Sequence, residues 1–142
     1  MQIIKSGPEI PERLLQAHED GRVVFFCGAG ISYPARLPGF KGLVNSLYAG
    51  LGEAPSSIEK AAIKNGQYDT GIGLLEGRIV GGRITVREQL ARILTPNLSV
   101  PQATATHEAL LTLARNREGR YRLITTNFDR LFEEVITVTA LY

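Results

Sequence analysis

A chain of 142 residues, 44% of them hydrophobic and 21% charged, carries enough apolar material for one folded domain and excludes general disorder. A formal net charge of +2 gives no case for direct nucleic-acid binding, and the densest basic stretch, Arg115 to Arg122, is broken by Asn116, Glu118, Gly119 and Tyr121. The single cysteine, Cys27, excludes an internal disulfide and a structural zinc site, and suits a reducing cytoplasm.

The first residues, Met1 to Pro11, hold Lys5 and Glu9 and no long apolar run, so neither a signal peptide nor a membrane association is expected. Ile10 to Glu19 reads as a short amphipathic helix, with Pro11 in its first turn, Leu14, Leu15 and His18 along one face, and Gly21 at its end. Arg22 to Cys27 is a short run rich in β-branched and aromatic residues between two glycines. It reads as a strand buried on both faces. Gly28-Ala29-Gly30 follows, then a loop with Pro34 and Pro38. From Gly39 to Gly50 the spacing of Phe40, Leu43, Val44 and Leu47 is helical.

Ser56 to Lys64 and Gln67 to Val80 read as helices, the second weakened by Gly71, Gly73 and Gly77. Gly81-Gly82 breaks the chain. Thr85 to Leu94 reads as a helix that Thr85 caps, with Glu88 three residues on and Val86, Leu90 and Ile93 on one face. Thr104 to Asn116 is a further helix, with Ala109, Leu110, Leu113 and Ala114 assigned to one side. Tyr121 to Thr126 reads as a second buried strand, and Asp129 to Val135 as the start of another helix. The end, Thr137 to Tyr142, is apolar and reads as a short strand or a frayed remnant. Strands separated by helices imply a parallel sheet with helical crossovers. The fold class is therefore α/β, a Rossmann-like parallel sheet with a helical insertion over roughly 52–95. Two strands are not self-sufficient, so either strands escape this reading or the chain is part of a larger domain.

Two segments place chemistry at strand ends. After the first strand, Gly28-Ala29-Gly30-Ile31-Ser32 offers a backbone that a pyrophosphate can approach closely, with N–H donors and a hydroxyl at hand. Tyr33 stands where a third glycine would complete the dinucleotide fingerprint, and no Gly-Lys-Ser/Thr follows. A tight turn after a core strand explains the same residues. After the second strand comes Thr125-Thr126-Asn127-Phe128-Asp129. Asn127 offers amide donors and a carbonyl acceptor to a ribose or a water, and Asp129 accepts from an amide; equally, either residue caps the following helix.

Taken together, these segments resemble the sirtuin family. Gly28-Ala29-Gly30-Ile31-Ser32 matches that family's Gly-Ala-Gly-Ile-Ser loop letter for letter. Leu37-Pro38-Gly39-Phe40-Lys41 is similar to its Ile-Pro-Asp-Phe-Arg segment, and Thr125 to Asp129 to its Thr-Gln-Asn-Ile-Asp motif. Ala105 to Leu110 is similar to the helix before that strand. The resemblance implies NAD as cofactor. Gly28, Ala29, Gly30 and Ser32 would hold its phosphates, and Phe40 would lie by the nicotinamide and its ribose. Asn127 would bond that ribose or place a water, in a catalytic role, and Asp129 would recognise the carboxamide. Lys41 and Thr126, inside the matching segments, complete the cofactor-binding set.

Departures narrow the expectation. Gly39 replaces the family's aspartate, and Lys41 replaces its arginine, keeping the charge and losing the planar fork. The pattern resembles the divergent bacterial sirtuin-like domains, which often hydrolyse NAD outright, many in defence against bacteriophage, more than the protein deacylases. The family's catalytic histidine lies in a His-Gly motif that would fall after Tyr142. Residues 1–142 are thus expected to be the N-terminal part of a sirtuin-like NAD-binding domain, inactive alone. The alternative is a non-catalytic nucleotide-binding or assembly module. NAD or ADP-ribose is the expected partner, with a homo-oligomer or larger complex as a further option. His107 is assigned a structural or supporting role, His18 a helix face, and Cys27 small buried packing.

Overall fold

The computed structural model describes residues 5–139, with the side chains of 138 and 139 left aside. It is a mixed α/β chain, mostly helical, around a short two-stranded parallel sheet. In order come α1 (Glu12–Glu19), β1 (Phe25–Cys27), a 3-10 turn (Ala29–Ala35), α2 (Phe40–Leu51), α3 (Ser57–Lys64), α4 (Tyr68–Arg78), α5 (Gly82–Ile93), α6 (Ala105–Ala114), β2 (Leu123–Thr125) and α7 (Leu131–Thr139). Phe25 pairs with Leu123, Phe26 with Ile124 and Cys27 with Thr125. Parallel strands cannot be joined by a hairpin, so the whole helical stretch between them serves as the crossover. Among the described residues no helix is long and apolar enough to cross a membrane.

The helices between the strands pack on one another. Val44, Leu47 and Tyr48 of α2 meet Leu75 of α4 and Val86 of α5, with Ile63, Tyr68, Leu90 and Ile93 around them. Ser56 starts α3 with a reciprocal cap: its hydroxyl accepts from the Glu59 N–H, and Glu59 accepts from the Ser56 N–H. Gly52, at φ +68°, ends α2 in a left-handed conformation that a side chain would strain. The packing unit thus begins at α2, ahead of the insertion expected from residue 52.

Glu59 also ties this unit together. Arg78 Nε donates to it at 2.8 Å, and the same guanidinium reaches Glu53 at 2.6 Å and the Ala54 carbonyl at 2.8 Å. The Arg78 hydrogen bond holds the buried Glu59 carboxyl below the usual carboxylate range, against the opposing effect of burial. Burial, then the neighbouring Glu59 charge, pushes the Tyr48 phenol up to about 12.

Four expectations are corrected. The strands are short and buried on one face only. Side chains alternate across a strand, and α6 and α7 cover the side bearing Phe25, Cys27 and Leu123. The other side leaves Phe26 71% exposed, Val24 53% and Ile124 51%. Thr85 does not cap α5, which starts three residues earlier at Gly82; its hydroxyl donates to the Val80 carbonyl instead. Gly81 permits that early start by taking φ +80°. The inner face of α6 is His107, Leu111 and Ala114, whereas Ala109 and Leu113 face outward. Thr137 is neither strand nor remnant, since α7 runs to Thr139; the last three residues of that predicted segment lie outside the described residues.

Candidate functional site

The paired strands end side by side, and the Thr126 N–H donates to the Cys27 carbonyl at 3.2 Å. The two polar turns therefore leave the sheet from one edge, at the carboxyl ends where open α/β folds hold ligands. After Gly28 the chain coils tightly, with Ile31 N–H donating to the Gly28 carbonyl and Leu37 N–H to the Ser32 carbonyl. That coil turns Ser32 inward beneath the second turn.

Ser32 is 1% exposed and sits at the centre of a polar cluster. A carboxylate can only accept, so the Ser32 hydroxyl donates to Asp129 Oδ2 at 2.8 Å. Its oxygen then accepts from Asn127 Nδ2 at 3.2 Å. His107 Nε2 lies 3.5 Å from the same oxygen. The other Asp129 oxygen accepts from the Leu131 N–H at 3.1 Å and starts α7. Asp129 is thus both a helix cap and part of the cluster. The Asn127 N–H donates to Thr125 Oγ1 at 3.1 Å. Two buried polar atoms, His107 Nδ1 and Asn127 Oδ1, have no hydrogen-bond partner among the described residues. His107 is 0% exposed, with its ring edge-on to Phe132 at 4.8 Å. Burial holds its imidazole below the usual histidine range, partly offset by the Asp129 charge.

Above this cluster lies a cavity of about 250 Å³. Its polar floor is Ser32, Thr126, Asn127 and Asp129; Leu37, Pro38, Leu43 and Leu94 form an apolar wall, with Ala29 at the strand end. Phe40 and Phe128 stand at the rim, edge to face with ring centres 6.0 Å apart. Phe40 also stacks on Tyr68 of α4 at 6.1 Å.

Of the residues singled out in the sequence, Ala29, Ser32, Phe40, Thr126, Asn127 and Asp129 line this one cavity. Gly28 and Gly30 flank Ala29, and a Cβ added at either would meet nothing within 4 Å. Lys41 is exposed on α2, outside the lining. The Ser32 hydroxyl, read from the sequence as a phosphate donor, is given to Asp129. Leu94, Phe128 and the supporting Tyr68 were not singled out. Phe128 lay inside a motif, but Leu94 and Tyr68 reach the site only through tertiary packing, and no local signal marks them. His18 is half-buried, and its Nε2 donates to the Leu113 carbonyl at 2.7 Å. Cys27 is buried, and burial pushes its thiol up, away from the reactive thiolate.

The fold and site thus define a mixed α/β chain with a small, mainly apolar cavity, polar at its floor, at the carboxyl edge of a parallel sheet. The chain is 37% identical over 139 residues to the uncharacterized protein y4cA of Sinorhizobium fredii (strain NBRC 101917 / NGR234), an alignment covering 98% of this chain. It spans 11% of the length of that curated relative. No protein-family model matches the chain, and no solved structure matches it.

Proposed function

We propose that this chain is part of a Rossmann-like, sirtuin-like domain whose cavity takes the nicotinamide and adjoining ribose of NAD, or the terminal ribose of ADP-ribose. One observation carries the reading: two turns nearly a hundred residues apart in sequence converge, with Asn127 3.2 Å from Ser32, on the floor of one cavity. A polar floor beside an apolar wall suits a sugar joined to a flat ring, and the phenyl rims suit that ring. At about 250 Å³ the cavity fits one end of a dinucleotide, since whole ligand pockets run to roughly 300–1,000 Å³. Gly28 and Gly30 would face the phosphates, with open space for their approach.

Asp129 is the charged side chain among the lining residues. Breaking the bond between nicotinamide and ribose builds positive charge on the sugar, which a carboxylate on the cavity floor favours. The parent protein, on this reading, is a cytoplasmic NAD-hydrolysing or NAD-dependent deacylating enzyme, with antiphage defence as one setting. A second reading, a non-catalytic nucleotide-binding or assembly module, also has support. Among the described residues, His107 is sealed beneath the floor and His18 is bound to a helix carbonyl, so the floor groups facing an occupant are those that bind, Ser32, Thr126, Asn127 and Asp129.

Calorimetry with NAD and with ADP-ribose, beside an assay of nicotinamide release by the full-length parent protein, tests both. Binding is expected, and Asn127→Ala is expected to weaken it by about tenfold or more, the effect of losing one good polar contact. Nicotinamide release favours the enzyme, and binding without release favours the module. Failure of the protein to bind either nucleotide overturns the NAD reading and the nucleotide-binding module alike, and leaves only an assembly role.

A further inference from the structure

His107 takes no place in the cavity lining, yet it lies 0% exposed beneath the floor, where the structural or supporting role expected of it can be made specific. Burial disfavours the imidazolium, so the ring carries a single N–H. Geometry decides where that proton sits. Nδ1 has no partner among the described residues, and Nε2 faces the Ser32 oxygen at 3.5 Å. A proton on Nδ1 would be a buried donor with nothing to bond. The bare Nε2 would then face an oxygen whose only hydrogen already points at Asp129. With the proton on Nε2, every bond in the cluster runs the same way. His107 and Asn127 donate to Ser32, and Ser32 donates to Asp129. Bonds aligned in this sense polarise and strengthen one another in a low-dielectric interior. Both acceptor directions on the Ser32 oxygen are then occupied by donors, so Asn127 presents its NH₂ and not its carbonyl.

We infer that His107 is a positioning residue: acting through Ser32, it fixes which way round the Asn127 amide stands and holds Asp129 at the cavity floor. Its effect on nucleotide affinity rests on the proposed NAD site, but its effect on the cluster does not. Two measurements therefore run together on ¹⁵N-labelled protein. Long-range imidazole spectra are expected to show the Nε2–H tautomer of His107. His107→Leu is expected to shift the Asn127 side-chain amide signals and speed their exchange with solvent. It should also weaken NAD binding by about tenfold, as for one lost buried hydrogen bond. His107→Gln, whose amide can again donate to Ser32, is expected to return the Asn127 signals and the affinity toward the original. Should the leucine variant fold poorly, the tautomer and the glutamine variant still decide. An Nδ1–H tautomer, or Asn127 signals unmoved by the loss of the imidazole, overturns the inference. Absence of NAD binding by the unaltered protein overturns the proposed function instead, and the spectra then judge the positioning role alone.

Discussion

The helical unit and the sheet of this protein contrast in how they bury apolar surface. In α2 to α5, Val44, Leu47, Leu75 and Val86 are sealed, and the Glu59–Arg78 pair closes the rim. The sheet has a sealed face under α6 and α7 and an open face of Val24, Phe26 and Ile124. Both regions contain comparable apolar residues, so hydrophobicity alone does not distinguish them. What differs is the number of sides from which other elements approach. The cavity forms where the two regions meet: Leu43 and Leu94 come from the helical unit and its end, and Asn127 and Asp129 from the sheet edge.

The sharpest way to break this comparison is to open the closed unit. Leu47→Ala removes a sealed side chain among packed helices and is expected to cost about 2–5 kcal/mol, read by urea or thermal unfolding. A loss below about 1 kcal/mol would mean that the unit is loosely packed.

Acid separates the regions next. In the unfolded chain His107 takes up a proton near its ordinary value of 6.5, whereas burial holds it lower in the fold. As the pH falls through 6.5 the unfolded chain binds a proton that the native state refuses. Stability therefore declines from there down to the folded value, and this decline belongs to the sheet side. Glu59, in the helical unit, is held below its ordinary 4.5 by Arg78. Its contribution is full above 4.5 and is lost as the pH falls from there toward the folded value. Unfolding followed across the acid range should show a loss that begins near pH 6.5 and a further loss that begins near 4.5. His107→Gln is expected to flatten the first and Glu59→Gln the second; one unbroken decline, insensitive to either change, would contradict this staging.

Much of this arrangement was legible in the residues, because its signals are local. The run Ser56 to Lys64 gives α3, the apolar spacing of Phe40 to Leu47 gives α2, and two apolar runs with helices between them give parallel strands. The convergence of Ser32 and Asn127 also followed, since parallel strands bring their carboxyl ends to one edge. Other features depended on long-range packing. Nothing in Phe25-Phe26-Cys27 says that only one of its faces is covered. The α6 face was misassigned because Leu113 is as apolar as Leu111, and the inner face also took His107, which the apolar pattern does not include. Leu94 and Tyr68 join the site by tertiary approach alone. The inward turn of the Ser32 hydroxyl needed Asp129, ninety-seven residues away, as its acceptor.

Glycine substitution at the strand end tests the cavity at little cost to the fold. Gly28 holds φ −113°, an ordinary value, and a Cβ at Gly28 or Gly30 meets only open space. Gly28→Ala and Gly30→Ala are therefore expected to leave stability unchanged or raise it by about 0.4–1 kcal/mol, through a less flexible unfolded chain. If the cavity takes a nucleotide as proposed, affinity is expected to fall, because the new methyl occupies the approach to the backbone. Unchanged affinity in both variants would remove this loop from the proposed binding site.

The smallest effect is expected on the open face. Phe26 is 71% exposed, so Phe26→Thr gives up little buried area and keeps a β-branched residue in the strand. Its stability is expected to stay within about 0.5 kcal/mol of the original, an order of magnitude below the upper estimate for Leu47→Ala. An exposed aromatic beside Ile124 and Val24 also favours contact between molecules, so the variant should remain dispersed at higher concentration in light scattering. A loss of several kcal/mol would mean that Phe26 is packed against something in solution. If that loss shrank on dilution, the covering surface would be a second molecule, and the contrast between a closed helical unit and an open sheet would hold only for the single chain.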